Sequence, residues 1–149
     1  MKPGDPAPPI KLQTDTGADF DLAALKGKKV VLYFYPRAST PGCTIESCEF
    51  RDANRSIGKK GAVVVGISPD TPKAQTKFKE AQNLPFTLLC DVDHAVANAY
   101  GVWKEKNMYG KKVMGIERTT FVIDENGKIE KIFAKVKPAG HAAEVLAGL

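Results

Sequence analysis

Residues 30–43 read VVLYFYPRASTPGC: a run of β-branched and aromatic side chains, a proline, a short loop and a cysteine. Val30–Tyr35 is apolar on both alternating faces, which suits a strand buried on both sides of a sheet. Pro36 ends that strand, because it lacks the N–H that a sheet ladder needs. Ala38–Gly42 form a loop. From Cys43 to Ile57 the pattern turns helical, and Gly58 and Gly61 follow as stop signals. A buried strand therefore delivers the chain to a helix that opens on a cysteine.

The pattern repeats on either side. Upstream, Ile10 and Leu12 lead into a Gly-containing turn over Thr14–Asp19, and Phe20 and Leu22 return, which reads as a hairpin. Leu22–Leu25 form a short helical turn that ends at Gly27. Downstream, Ala62–Ser68 (AVVVGIS) is a second buried strand, and the loop Ser68–Pro72 leads into a helix from about Lys73 to Asn83. Pro85–Cys90 is a short strand. Asp93 caps a helix that runs to Tyr100 and stops at Gly101. Val102–Ile116 is polar and Gly-containing and reads as a connection. Thr119–Ile123 and Ile129–Val136 are strands about the turn Asp124–Gly127. A last helix spans His141–Leu149. The expected fold is α/β, a mixed central sheet flanked by helices, with an N-terminal β-hairpin addition. It resembles a thioredoxin-like architecture, and 149 residues suit one domain over 1–149.

Composition narrows the classes further. With 43% hydrophobic and 26% charged residues, the chain is that of an ordinary globular protein. No apolar run approaches the roughly 20 residues of a membrane-spanning helix. The proline-rich start, MKPGDPAPPI, offers no signal-peptide core. The expectation is a cytoplasmic protein with no membrane partner. The net charge of +5 comes from scattered lysines beside glycines, as in solvated turns, which speaks against nucleic acid. His94 and His141 show no metal spacing with the cysteines.

There are three cysteines, an odd number that does not build a disulfide framework. Free cysteines are often small buried hydrophobes. Cys43 has the wrong address for that alone. A helix start presents unpaired N–H groups and a positive dipole end, both of which favour a thiolate. Cysteines so placed titrate at roughly 3.5–7.5, against about 8.5 when free, and Cys43 is expected among them. Thr40 can turn a hydroxyl toward the sulfur. Glu46, Phe50 and Ile57 follow on the same helix face, so the sulfur points inward. Cys48 lies five residues on. In a helix that spacing sets the two Cα atoms roughly 8–9 Å apart, beyond the ~7 Å that a disulfide tolerates. A Cys43–Cys48 bond therefore requires the first turns to unwind. Because alanine is the better helix former, Ser47→Ala is expected to slow that closure. Cys90 ends an apolar strand and reads as a core residue, with a role as a second thiol left open.

Pro36-x-x-x-Thr40-x-x-Cys43 resembles the peroxidatic motif of peroxiredoxins, and the longer run FYPRASTPGCTIESCEFRD, from Phe34 to Asp52, is similar to the Q, or bacterioferritin comigratory protein, subfamily. Gly4-Asp5-x-Ala7-Pro8 and Arg118-x-Thr120-Phe121-x-Ile123-Asp124 match as well, so the resemblance spans the chain. It implies a thiol-dependent peroxidase acting on hydrogen peroxide and organic hydroperoxides. In that reading Cys43 is the peroxidatic cysteine. Cys48 is the resolving cysteine of an intramolecular disulfide. Thr40 and Arg118 hold thiolate and peroxide, Pro36 shields the sulfur, and Glu46 orients Arg118. Thioredoxin or a similar dithiol is the implied reductant, the monomer is the implied state, and no metal, flavin or haem cofactor is required. Two rival functions have their own signatures. A thioredoxin-type disulfide oxidoreductase usually carries Cys-x-x-Cys, and here the second cysteine is displaced. A non-enzymatic binding module would tolerate Cys43→Ser.

Overall fold

The protein is described by a computed structural model covering residues 1–149, the side chain of Met108 excepted. Its strands are β1 (Lys11–Thr14), β2 (Asp19–Asp21), β3 (Lys29–Phe34), β4 (Ala62–Ser68), β5 (Thr87–Cys90), β6 (Trp103–Met108), β7 (Lys111–Ile116), β8 (Thr119–Ile123) and β9 (Ile129–Phe133). Its helices are α1 (Pro41–Lys59), α2 (Pro72–Gln82), α3 (Ala95–Ala99) and α4 (His141–Ala147), with a 3-10 turn over Leu22–Leu25. Seven strands form one mixed sheet in the order β2-β1-β5-β4-β3-β8-β9. β3, β4 and β5 run parallel at its centre, and antiparallel neighbours flank them. Among the described residues no helix is long and apolar enough to cross a membrane.

The expectation of a mixed sheet covered on both faces holds, and β3 shows why. Its odd residues Val31 and Tyr33, with Tyr35 beyond, join Phe50, Ile57, Phe78 and Val145 in a core beneath α1, α2 and α4. Its even residues Val30, Leu32 and Phe34 join Val65, Ile67, Val96, Tyr100 and Phe121 on the opposite face. The two-residue repeat of an extended chain thus feeds two cores from one strand. Where β3 pairs with β4, Tyr33 stands opposite Gly66. A Cβ on Gly66 would lie 2.9 Å from the Tyr33 ring and 2.8 Å from Leu88, so only glycine lets these side chains close over the sheet.

The N-terminal hairpin forms as read, with Leu12 opposite Phe20, and it joins the sheet through β1 against β5. Two expectations change. Val102–Ile116 is not a plain connection: β6 and β7 make a two-stranded antiparallel hairpin. Tyr109 and Gly110 turn it with φ of 54° and 78°, the double positive φ of a tight hairpin turn. The helix read as capped by Asp93 is shorter than expected and has two carboxylates at its start. Asp93 accepts from the Ala95 N–H, and the buried Asp91 accepts from the Val96 and Ala97 N–H groups. Helix α1 begins two residues before Cys43, with Pro41 in its first turn, where the missing N–H has no partner to lose.

Candidate active site

β3 and β4 are adjacent and parallel, so the loops leaving their C-terminal ends emerge side by side. The loop after β3 carries Pro36, half-buried, and Thr40. The loop after β4 carries Asp70, and this carboxylate accepts from the Ala38 N–H at 2.7 Å and from the Ser68 hydroxyl at 2.6 Å. Behind it runs a buried chain of hydrogen bonds. Gln75 donates to Ser68 Oγ and to the Leu89 carbonyl, and the Tyr35 hydroxyl donates to Gln75 Oε1 at 2.6 Å. The loop that precedes Cys43 is thereby tied to the sheet. Sequence reading did not single out Asp70 or Gln75, although a Ser-Pro-Asp loop after the second buried strand was the available signal.

Cys43 sits in the first turn of α1 and is fully buried. The Arg118 Nη2 donates to Cys43 Sγ at 3.2 Å, and its Nη1 donates to Glu46 Oε1 at 2.7 Å. Arg118 lies between β7 and β8, and because β8 pairs antiparallel with β3, setting Thr119 opposite Phe34, it enters from the start of the adjacent strand. Gly42 makes room for it: a Cβ there would meet Arg118 Nη2 at 3.3 Å and Pro138 Cγ at 3.4 Å. Three sequence candidates, Cys43, Glu46 and Arg118, are therefore brought together. The Thr40 hydroxyl departs from its expected aim: it donates to the Arg37 carbonyl at 2.8 Å rather than to the sulfur.

Glu46 carries the sharpest electrostatic conflict in the site. It is fully buried, and its Oε2 has no hydrogen-bond partner. Burial pushes its carboxyl up to about 7, even though the Arg118 guanidinium pulls it down. Arg118 is raised as well, by the opposite balance of causes. Burial pulls it down, but the charges of Glu46 and Cys43 together push it up. Desolvation prevails at Glu46 because only one of its two oxygens is satisfied.

Cys48 is half-buried on the same unbroken helix, and its thiol donates to Gln82 Oε1 at 3.3 Å. Cys43, Cys48 and Cys90 are all free thiols. Cys90 is buried at the end of β5, as read. Burial, with Asp15 and Asp70 adding, pushes its thiol up to about 11.

The chemistry such a site can perform is nucleophilic: a buried sulfur at a helix start, faced by a fixed guanidinium. Comparison with known proteins points the same way. The AhpC/TSA family matches residues 3–132. A Coxiella burnetii protein provisionally named peroxiredoxin bcp is 55% identical over 146 residues, covering 98% of this chain and 97% of its own. Peroxiredoxin Bcp of Bacillus subtilis is 50% identical, covering 96% and 91%. A solved structure of the bacterioferritin comigratory protein of Xanthomonas campestris, described for its alkyl peroxide reduction activity, superposes with a TM-score of 0.89 at 42% identity, covering 93% of this chain and 88% of that one. The fold is thioredoxin-like, and the chain belongs to the AhpC/TSA family as a thiol-dependent peroxidase, a peroxiredoxin of the Bcp or Q kind.

Proposed function

We propose that Cys43 is the peroxidatic residue and that Cys48 resolves it. The Cys43 thiolate attacks the terminal oxygen of a hydroperoxide, the O–O bond breaks, and the leaving alkoxide takes a proton to depart as an alcohol, or as water from hydrogen peroxide. Cys43 becomes a sulfenic acid. Cys48 then attacks that sulfur, forming a disulfide and releasing water. A thioredoxin-like dithiol returns both cysteines to thiols. The observation that carries this reading is the Arg118 donation to Cys43 Sγ at 3.2 Å, made by a guanidinium already braced on Glu46. A fixed cation beside the sulfur steadies the charge that moves onto the leaving oxygen.

The other roles follow from position. Thr40, whose hydroxyl proton is committed to Arg37, accepts from the O–H of the incoming hydroperoxide. Glu46 orients Arg118. Pro36 covers the sulfur against bulk water. The reaction needs one chain, because α1 and the β7–β8 junction supply its parts, and this favours a monomeric single domain. An odd set of thiols fits the reducing cytoplasm. Both hydrogen peroxide and organic hydroperoxides are substrates in this reading.

The test is to reduce the protein, add one equivalent of hydrogen peroxide and map the cysteines by non-reducing peptide mass spectrometry. The expected product is a Cys43–Cys48 disulfide. A Cys43–Cys90 link would move the resolving role, and three untouched thiols would overturn the assignment of Cys43.

A further inference from the structure

Cys48 is not simply exposed on α1 awaiting use. Its thiol is engaged by Gln82, the last residue of α2. Gln82 is engaged a second time: Arg51 Nη1 donates to its backbone carbonyl at 2.8 Å. That carbonyl is one of the terminal acceptors a helix leaves without an internal partner. Arg51 stands three residues after Cys48, on the same helix face, and it also pairs with Asp52 at 3.0 Å. The Asp52 contact pushes the Arg51 guanidinium up. Two contacts from the second and third turns of α1 thus converge on one residue of a different helix, and one of them ends on the resolving sulfur.

We propose that Gln82 is a positioning residue for the second half of the reaction: with Arg51, it latches Cys48 into the wound form of α1 and so sets how long the Cys43 sulfenic acid persists. The proposal rests on the reading of Cys43 and Cys48 given above. In the wound helix the two sulfurs stand too far apart to bond, since Cα atoms five residues apart lie roughly 8–9 Å from each other. Release of Cys48 from Gln82 has to precede closure. Until it happens, the sulfenic acid has another fate. A second hydroperoxide can transfer an oxygen to it, which gives a sulfinic acid on Cys43 and an alcohol. Closure instead joins the two sulfurs, and the Cys48 thiol proton leaves with the sulfenic hydroxyl as water. The latch therefore divides the intermediate between a recyclable disulfide and a dead end.

The experiment follows wild type, Gln82→Ala, Gln82→Glu and Arg51→Ala by rapid acid quench and thiol mapping after hydrogen peroxide is added. Three quantities are read: the rate at which Cys43 is first oxidised, the rate at which the disulfide closes, and the sulfinic fraction at matched peroxide. In Gln82→Ala closure should be about two- to tenfold faster, the equivalent of one hydrogen bond, and the sulfinic fraction should fall in step. The first oxidation of Cys43 should keep its wild-type rate. Gln82→Glu retains the acceptor and should close no faster than wild type, a rescue that a merely structural contact would not give. Arg51→Ala should move closure in the same direction as Gln82→Ala, and it carries the test if that variant fails to fold. Closure in Gln82→Ala at or below the wild-type rate overturns the latch. A wild type that forms no Cys43–Cys48 bond overturns the functional reading along with it.

Discussion

Arg118 touches Cys43 and Glu46 with different nitrogens of one guanidinium, at 3.2 Å to the sulfur and 2.7 Å to the carboxylate. A planar fork can serve two acceptors at once, and a lysine ammonium on a flexible stem cannot reproduce that geometry. Arg118→Ala should slow oxidation of Cys43 by hydrogen peroxide about 10²- to 10³-fold, the loss expected for a donor aimed at developing charge. Arg118→Lys should fall between. Competition kinetics against a second peroxidase would measure both, and wild-type rates in Arg118→Ala would remove Arg118 from the mechanism.

Glu46 ties the site to pH. Its folded value, raised to about 7 by burial, stands above the ordinary value of about 4.3 in an unfolded chain. Between those values the folded protein holds a proton that the unfolded chain has lost. The stability this group contributes is thus fully present below about 4.3 and disappears as pH rises through about 7. Denaturant titrations from about pH 5 to about pH 8 should show wild type losing stability relative to Glu46→Gln. The rate of Cys43 oxidation should show an inflection near the same pH, because ionised Glu46 is the form that braces Arg118. Parallel pH profiles for wild type and Glu46→Gln would refute this.

Ser47 reverses an expectation drawn from helix propensity. It is buried, and its Oγ lies 2.8 Å from the Tyr33 hydroxyl, which is buried as well. The gain in propensity from Ser47→Ala is about 0.5 kcal/mol. Leaving the Tyr33 hydroxyl without its partner costs about 1–3 kcal/mol. The variant should therefore melt earlier than wild type, close its disulfide faster and accumulate less sulfinic acid. A higher melting temperature would restore the propensity argument.

Asp70→Ala should loosen the approach to the site without touching the sulfurs. It removes the acceptor for the Ala38 N–H and the Ser68 hydroxyl. We expect a loss of about 2 kcal/mol in stability, as for hydrogen bonds to a charged group, and about tenfold slower oxidation of Cys43, as for misplacement of a reacting group. Stopped-flow oxidation under folding conditions separates the two effects, and an unchanged oxidation rate would reduce Asp70 to a stability residue.

Cys90 should stay silent. With its thiol pushed up to about 11, its thiolate is on the order of one part in ten thousand at neutral pH. Iodoacetamide should label it last, and Cys90→Ala should turn over peroxide at the wild-type rate. Loss of disulfide closure in Cys90→Ala would identify it as the resolving thiol.

The parts of this molecule that local pattern dictates were readable in advance. Val30–Tyr35 and Ala62–Ser68 are apolar on both faces because they are central parallel strands, and the Cys43–Phe50–Ile57 face of α1 is apolar because it lies on them. Arg118 was reached through a family motif, since no periodicity connects it to a cysteine 75 positions earlier. The β6–β7 hairpin escaped because its strands are polar and its turn is Tyr-Gly, which carries a weak signal beside Asn-Gly. The Asp70 and Gln82 contacts escaped for a deeper reason. Each joins groups from elements whose neighbourhood is set by sheet order, and a single chain of letters does not display which strand ends lie together.

Because Asp70 stands in the loop after β4, the mooring of Ala38 on it does not depend on α1 being wound. An opening that joins Cys43 to Cys48 leaves the chain just upstream pinned to the sheet, while Glu49 and Phe50 begin the part of the helix downstream of the bond. The open segment is thus a short bridge between two fixed piers. Starting a helix from a free coil is slow because several dihedral angles must be set before the first hydrogen bond forms. In the proposed cycle the surviving turns of α1 serve as a ready-made seed, and after reduction of a Cys43–Cys48 bond the coil would rewind backward along them toward a tethered end. On that proposal the reset is by extension rather than by nucleation.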